Sequence, residues 1–333
     1  MKFATPKALL RVLILFTIVL SPIGCMVVMP GRSFSGPFAT PTPDEAQLAG
    51  RLRTHVNKLA VEIGPRCVTQ PRGLAQSVDY LAAQFAAMGY TCRTQAFEVF
   101  GVPCRNLEVE LPGGGRREEI VVIGAHYDTC LDTPGANDNG SGVAVLLELA
   151  RALASAKPAR TLRFVAFANE EPPYFQTGQM GSLVYARACK ARGERITAML
   201  ALETMGFFSD AEDSQRYPPP FNLLYPSRGN FIGFIGNLGS RPLVRQCVRS
   251  FRAHAQFPSE GGALPGFVTG VGWSDHWAFW QVGYPALMVT DTAPFRYPHY
   301  HQDTDTPDKL DYARLARVTL GLRAVITDLC AAQ

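Results

Sequence analysis

Two rhythms of apolar and polar positions run along this 333-residue chain. TCRTQAFEVF (91–100) and RNLEVELPG (105–113) alternate with a period of two, the pattern of half-buried strands, and the glycines after Pro112 stop the second. EEIVVIGAHYD, TLRFVAFANEE, MLALETMG and YPALMVTD instead hold unbroken apolar runs, as strands covered on both faces do. A helical period marks EAQLAGRLRTHVNKLAVEIG and RGLAQSVDYLAAQFAAMG, the second ending on a glycine suited to a helix C-terminus. GVAVLLELARALASA and SLVYARACKA follow as helices, and YARLARVTLGLRAVITDLC closes the chain as an amphipathic one. Strands alternating with helices predict an α/β fold. The expectation is a single three-layer domain over residues 46–333, its central, mostly parallel mixed sheet flanked by helices.

The first thirty residues break the pattern. Lys2, Lys7 and Arg11 precede an apolar run from Val12 to Met29. That order predicts a signal peptide, a lipoprotein signal or an uncleaved signal anchor over residues 1–30. The body would then lie outside the cytoplasm, membrane-anchored in a bacterial periplasm or cell envelope, or secreted. SPIGC resembles a lipoprotein processing site that would put the lipid on Cys25, although Pro22 stands where such sites prefer an aliphatic residue. Residues 31–45, rich in Gly, Ser and Pro, read as a flexible tether.

Composition narrows the picture. Apolar residues make up 47% and charged residues 18%, enough for a sizeable core and too apolar for wholesale disorder. A net charge of +4 without basic runs gives nucleic acid no electrostatic footprint. No CxxC pair is present, which argues against a structural zinc knuckle, while Cys92 and Cys104 flank the predicted strand pair and leave a disulfide open.

Chemistry gathers where the buried strands end. In open α/β sheets a ligand sits outside the carboxyl ends of the strands. Here those ends carry His126 with Asp128, Glu170 with Glu171, and Glu203, while Asp138 and His301 stand in the loops beyond two of them. Alone, His126 reads as a structural histidine, Asp138 as a turn residue and Glu170–Glu171 as a helix cap. Several such ends converging on one crevice form a mixed imidazole–carboxylate set suited to zinc and tolerant of manganese or cobalt. Asp128, two residues from His126, can hold the ring nitrogen that faces away from the metal. His276 reads as a structural or supporting histidine, and His299 as the weaker rival of His301. The aromatics of PPYFQTG and WSDHWAFW are open to either core or pocket duty.

The ordered set HYD, GANDNGSG, NEE, LET and YHQDTDTPDKL resembles the MH-clan family of zinc exopeptidases over residues 74–329. Bacterial leucyl aminopeptidases, glutamate carboxypeptidases and glutaminyl cyclases are among its relatives. The resemblance implies metal ligands at His126, Asp138, Glu171, Glu203 and His301, with Asp138 shared by two ions and a cis peptide after it. It implies Glu170 as general base and Asp128 as the residue that orients His126. Glu203 departs by one methylene from the aspartate of many relatives. Tyr300 matches the tyrosine that some branches use to polarise the substrate carbonyl. The function implied is an aminopeptidase with two Zn2+ per chain, acting on peptides with a free N-terminus. The alternative is a glutaminyl-peptide cyclotransferase of the same fold with one zinc.

Overall fold

The computed structural model describes residues 24–331. An eight-stranded sheet runs through it in the order β1-β2-β4-β3-β5-β8-β6-β7. The strands are β1 (Arg93–Val99), β2 (Val102–Leu111), β3 (Arg116–His126), β4 (Arg160–Phe167), β5 (Arg195–Glu203), β6 (Ile232–Asn237), β7 (Ser259–Leu264) and β8 (Ala286–Thr290). β3 pairs in parallel with β4 and β5, β5 with β8, and β6 with β7; the β1–β2, β2–β4 and β6–β8 pairs are antiparallel. The sheet is therefore mixed, as expected, with β3, β4, β5 and β8 pointing one way.

Alternation along the buried strands sorts side chains between two apolar layers. Val121, Ile123 and Ala125 face the layer holding α1 (Pro43–Asn57), α2 (Pro71–Ala87), α3 (Gly142–Leu153), α5 (Arg241–His254) and α7 (Tyr312–Cys330). Ile120 and Val122 face α4 (Gly181–Ala191) and α6 (His276–Gln281). Both faces being covered explains the unbroken apolar runs. α1 opens with a capping box, in which Glu45 N donates to Thr42 Oγ1 and Thr42 N donates to Glu45 Oε2. Its other end is tied to α3 through buried Glu148, which accepts from Arg51 at 2.7 Å and meets His55 at 3.1 Å.

The expected N-terminal signal or anchor lies largely outside the described residues. Among the described residues no helix is long and apolar enough to cross a membrane. The end of the segment read as a signal or anchor and the tether after it run beside α5 and α7. Arg241 donates to Cys25 O, Arg245 to Val28 O, Arg252 to Pro30 and Gly31 O, and Arg317 to Ala39 O.

The sheet register excludes the disulfide left open between Cys92 and Cys104. Cys104 lies opposite Phe97, five residues along the ladder from Cys92. That is about 16 Å of strand, beyond any disulfide's reach. Both thiols are free, and Cys104 Sγ accepts from Asn169 Nδ2 at 3.1 Å.

Candidate metal centre

The parallel strands deliver their last residues to one crevice. His126 closes β3 and Glu203 closes β5, and the ladder between the two strands brings them side by side. His126 Nε2 lies 3.1 Å from Glu203 Oε2, 3.4 Å from Asp138 Oδ1 and 3.8 Å from Glu170 Oε2. On the other side of Asp138, His301 Nε2 lies 3.1 Å from Asp138 Oδ2 and 3.1 Å from Glu171 Oε2. All five expected ligand residues and Glu170 thus meet, and all but His301 are buried. Cys130 Sγ joins Glu171 and His301 in a further group whose ligand atoms lie within 4.8 Å of one another.

Asp138 is aimed by its loop. The peptide to Asn139 is cis, and Gly135 adopts a left-handed φ of +63°. A Cβ at Gly135 would stand 2.5 Å from Asp138 O and 2.3 Å from Thr129 Cγ2, so no larger residue fits. Asp305 takes the backbone N–H of Asn137 at 2.8 Å and of Asp138 at 3.0 Å, and accepts from Tyr297 Oη at 2.6 Å. Asn137 Nδ2 donates to Asp291 at 2.9 Å, and Asn139 Nδ2 donates to Leu202 O at 2.7 Å, linking the loop to β5. Beneath it, fully buried Arg66 donates to Tyr127, Pro134 and Gly135 carbonyls at 2.6, 2.7 and 2.7 Å. Asp305, Asp291, Asn137, Asn139 and Arg66 were not singled out from the sequence. The acid four residues after His301 was the available signal for Asp305; the two asparagines looked like turn formers, and Arg66 stands in no motif.

Asp128 differs from expectation in detail. Its carboxylate lies 3.5 Å from His126 Nδ1, and the ring nitrogen instead meets the Asp128 backbone carbonyl at 3.2 Å. The carboxylate is occupied elsewhere, taking the backbone N–H groups of Glu170 and Glu171 at 3.1 Å each. One residue therefore fixes both β3's histidine and β4's acid pair. Ser274 Oγ donates to Glu203 Oε2 at 2.7 Å. His276 stands outside the cluster: its Nε2 meets Val271 O at 2.8 Å, and burial lowers it to about 4, so it is a neutral structural histidine. His299 is also outside, its Nδ1 2.8 Å from Thr304 Oγ1. Tyr300 stacks on the His301 ring at 3.8 Å. Burial and then the charges of Asp138, Glu171, Glu203 and Glu170 push its hydroxyl well above the ordinary range, which keeps it a proton donor.

The electrostatics call for positive charge. Burial and the neighbouring Asp138 push Glu171 up to about 8, and burial likewise raises Glu170 and Glu203. Asp275, buried behind them, is pushed up to about 7 by its own burial. Burial would lower His126 and His301, but the surrounding carboxylates outweigh it and raise both. His126 Nε2, both oxygens of Asp138, Glu171 Oε1 and His301 Nε2 are buried without a hydrogen-bond partner. Buried polar atoms seldom stay unpaired, and a nitrogen–oxygen set of this kind could hold divalent cations such as zinc, with His126, Asp138 and Glu203 on one side and Asp138, Glu171 and His301 on the other.

Residues 106–326 match the model of peptidase family M28. The chain belongs to this family. It is accordingly a hydrolase of the metallopeptidase class. An uncharacterized protein of Escherichia coli (strain K12), YfbL, is 35% identical over 307 residues, covering 89% of this chain and 93% of its own length. A probable leucine aminopeptidase of Arthroderma otae is 31% identical over 63% of this chain, which spans only 54% of that relative. Among solved structures, a zinc aminopeptidase from Bacillus subtilis superposes with a TM-score of 0.67 at 15% identity, over 85% of this chain and 95% of that one. A Fimbriiglobus ruber glutaminyl cyclase reaches 0.61 at 22% identity, over 88% and 98%. At these identities the superpositions speak for a shared fold.

Proposed function

We propose that this member of the family is a di-zinc aminopeptidase that removes N-terminal residues from peptides. The observation that carries the reading is the placement of Asp138. One of its oxygens faces His126 Nε2 at 3.4 Å and the other faces His301 Nε2 at 3.1 Å, the arrangement of a carboxylate shared by two cations. His126 and Glu203 would complete one site, Glu171 and His301 the other. The ions, when bound, would supply Lewis acidity toward the substrate carbonyl and toward water. Glu170, whose side chain coordinates neither site in this assignment, takes the proton of the attacking water and returns it to the departing amine. Asp128 holds Glu170 in place through the backbone N–H it accepts. Tyr300 donates a hydrogen bond from its hydroxyl to the charge that develops on the carbonyl oxygen and keeps its proton. The basic and apolar N-terminal segment supports export and membrane attachment of this activity.

Glutaminyl cyclisation on the same fold is the second reading, favoured only by glutaminyl cyclases among the structural neighbours. Mass spectrometry separates the two. Zinc-reloaded protein should release free amino acids from unblocked peptides, each cleavage adding water, and a chelator should abolish release. Loss of ammonia from Gln-initiated peptides, without cleavage of any other, would favour the cyclase instead.

A further inference from the structure

Beyond the metal centre the helical layer gives out. α5 covers β6 and β8 on one face; on the other, α6 packs on β8 at Ala286 and loops roof the rest, with an apolar pocket beneath them. Its free space is about 100 Å³, room for one side chain rather than a stretch of peptide. Tyr217, Tyr225, Phe231, Trp273 and Phe295 contribute aromatic walls, while Glu203 and Tyr300 join it to the metal centre.

The sheet register gives the pocket its axis. Glu203 of β5 lies opposite Thr290 of β8, Thr290 opposite Gly233 of β6, and Gly233 opposite Glu260 of β7. Residues in such a row share a face, and all four line the pocket. Three strand spacings separate the ends, about 14 Å between backbone positions. The row thus runs from a carboxylate at the metal centre, across a threonine and a glycine, to a second carboxylate. A Cβ at Gly233 would meet Thr290 O at an ordinary 3.4 Å. Crowding therefore does not impose glycine there, and its effect is to leave the floor open.

Glu260 stands out among these walls. The tyrosine hydroxyls are spent, Tyr217 donating to Pro226 O at 2.7 Å and Tyr225 to Gly261 O at 2.9 Å. Gln215 is bound to Thr292, to Arg216 O and to Arg296. Glu260 accepts no hydrogen bond from a described residue; its nearest cation, Arg252, stays 3.7 Å away. Arg252 spends its donors on Ser259 and on the carbonyls of Pro30 and Gly31. Arg216 also lines the pocket but is exposed and makes no ion pair among the described residues. Burial raises Glu260 above the ordinary carboxylate range, with Arg252 opposing, as expected of an acid short of partners.

We infer that the pocket receives the side chain of the substrate's N-terminal residue and that Glu260 selects a cationic tip, so that lysine and arginine are the favoured N-termini. The inference rests on the aminopeptidase reading. A long aliphatic stem lies along the aromatic walls and over Gly233, and its ammonium or guanidinium reaches the carboxylate. A leucine side chain leaves the half-buried Glu260 with no cation nearer than Arg252 at 3.7 Å.

The test uses the full zinc-loaded chain and peptides differing only in residue one. Lys- and Arg-peptides should exceed Leu- and Met-peptides in kcat/KM by about tenfold or more, and Glu260→Gln should collapse that ratio by about tenfold, with zinc content reporting intact folding. Gly233→Val, which fills the floor, should weaken long basic N-termini more than alanine. A ratio near one, or one that Glu260→Gln leaves unmoved while peptides are still cleaved, overturns the inference and spares the aminopeptidase reading. If no peptide is cleaved, that reading fails by itself, and calorimetry with argininamide and leucinamide still decides the pocket. Tighter argininamide binding lost in Glu260→Gln supports the assignment, and equal binding overturns it.

Discussion

Replacing Arg66 by methionine removes a guanidinium while keeping most of the side chain's bulk. Its three short contacts, to Tyr127, Pro134 and Gly135 carbonyls at 2.6, 2.7 and 2.7 Å, are the ones that count; those to Gly64 and Leu59 are longer at 3.2 and 3.4 Å. Burial lowers Arg66 only to about 10, so it is charged at neutral pH. The Gly135 carbonyl keeps the Gly140 N–H at 3.1 Å, so two buried carbonyls are stranded, at about 1–2 kcal/mol each, for an expected loss of about 2–4 kcal/mol. The loop carrying Asp138 loses its support in the same step, so zinc affinity should fall about 10–100-fold. Guanidinium unfolding of metal-free protein reads the first effect, and zinc titration against a competing chelator reads the second. Arg66→Lys, which keeps the charge but not the planar fork, should fall between. Methionine protein within about 0.5 kcal/mol of the parent, with unchanged zinc affinity, would refute the idea that this cation shapes the site.

Asp305→Asn leaves one acceptor oxygen where two serve the Asn137 and Asp138 amides and Tyr297, and zinc affinity measured by chelator competition should drop about tenfold or more. Glu170→Gln should lower kcat about 10²–10⁴-fold while metal analysis stays unchanged; a matching loss of metal would make Glu170 a ligand instead of a base. His276 bears on acid stability. Its folded value near 4 lies below its ordinary 6.5, so its contribution is complete above 6.5 and is lost as pH falls toward 4. That lowering corresponds to about 3 kcal/mol, which His276→Phe should remove from the pH dependence of unfolding between those limits.

Much of this is legible in the sequence. Continuous apolar runs gave β3, β4, β5 and β8, and the polar residues at their ends lie together because parallel strands end on one side. β6, β7, α5 and α6 were not anticipated. FIGFIG and SEGGAL interleave apolar residues with glycines that depress strand propensity, and the arginine-rich α5 hides its apolar stripe in a low overall hydropathy. That region carries the pocket, so the sequence pattern disclosed the proposed chemistry better than its selectivity. Residues that hold others were the hardest to see. Arg66 and Asp305 act through backbone carbonyls and amides, contacts that leave no spacing or motif in a sequence.

The most direct test of the metal-pair reading is the zinc content of purified, chelator-stripped and reloaded protein beside its Asp138→Asn variant. The account predicts about two ions per chain in the parent and loss of both tight sites in the variant, because one carboxylate serves both. A parent that binds none, or a variant that retains both at parental affinity, would contradict it.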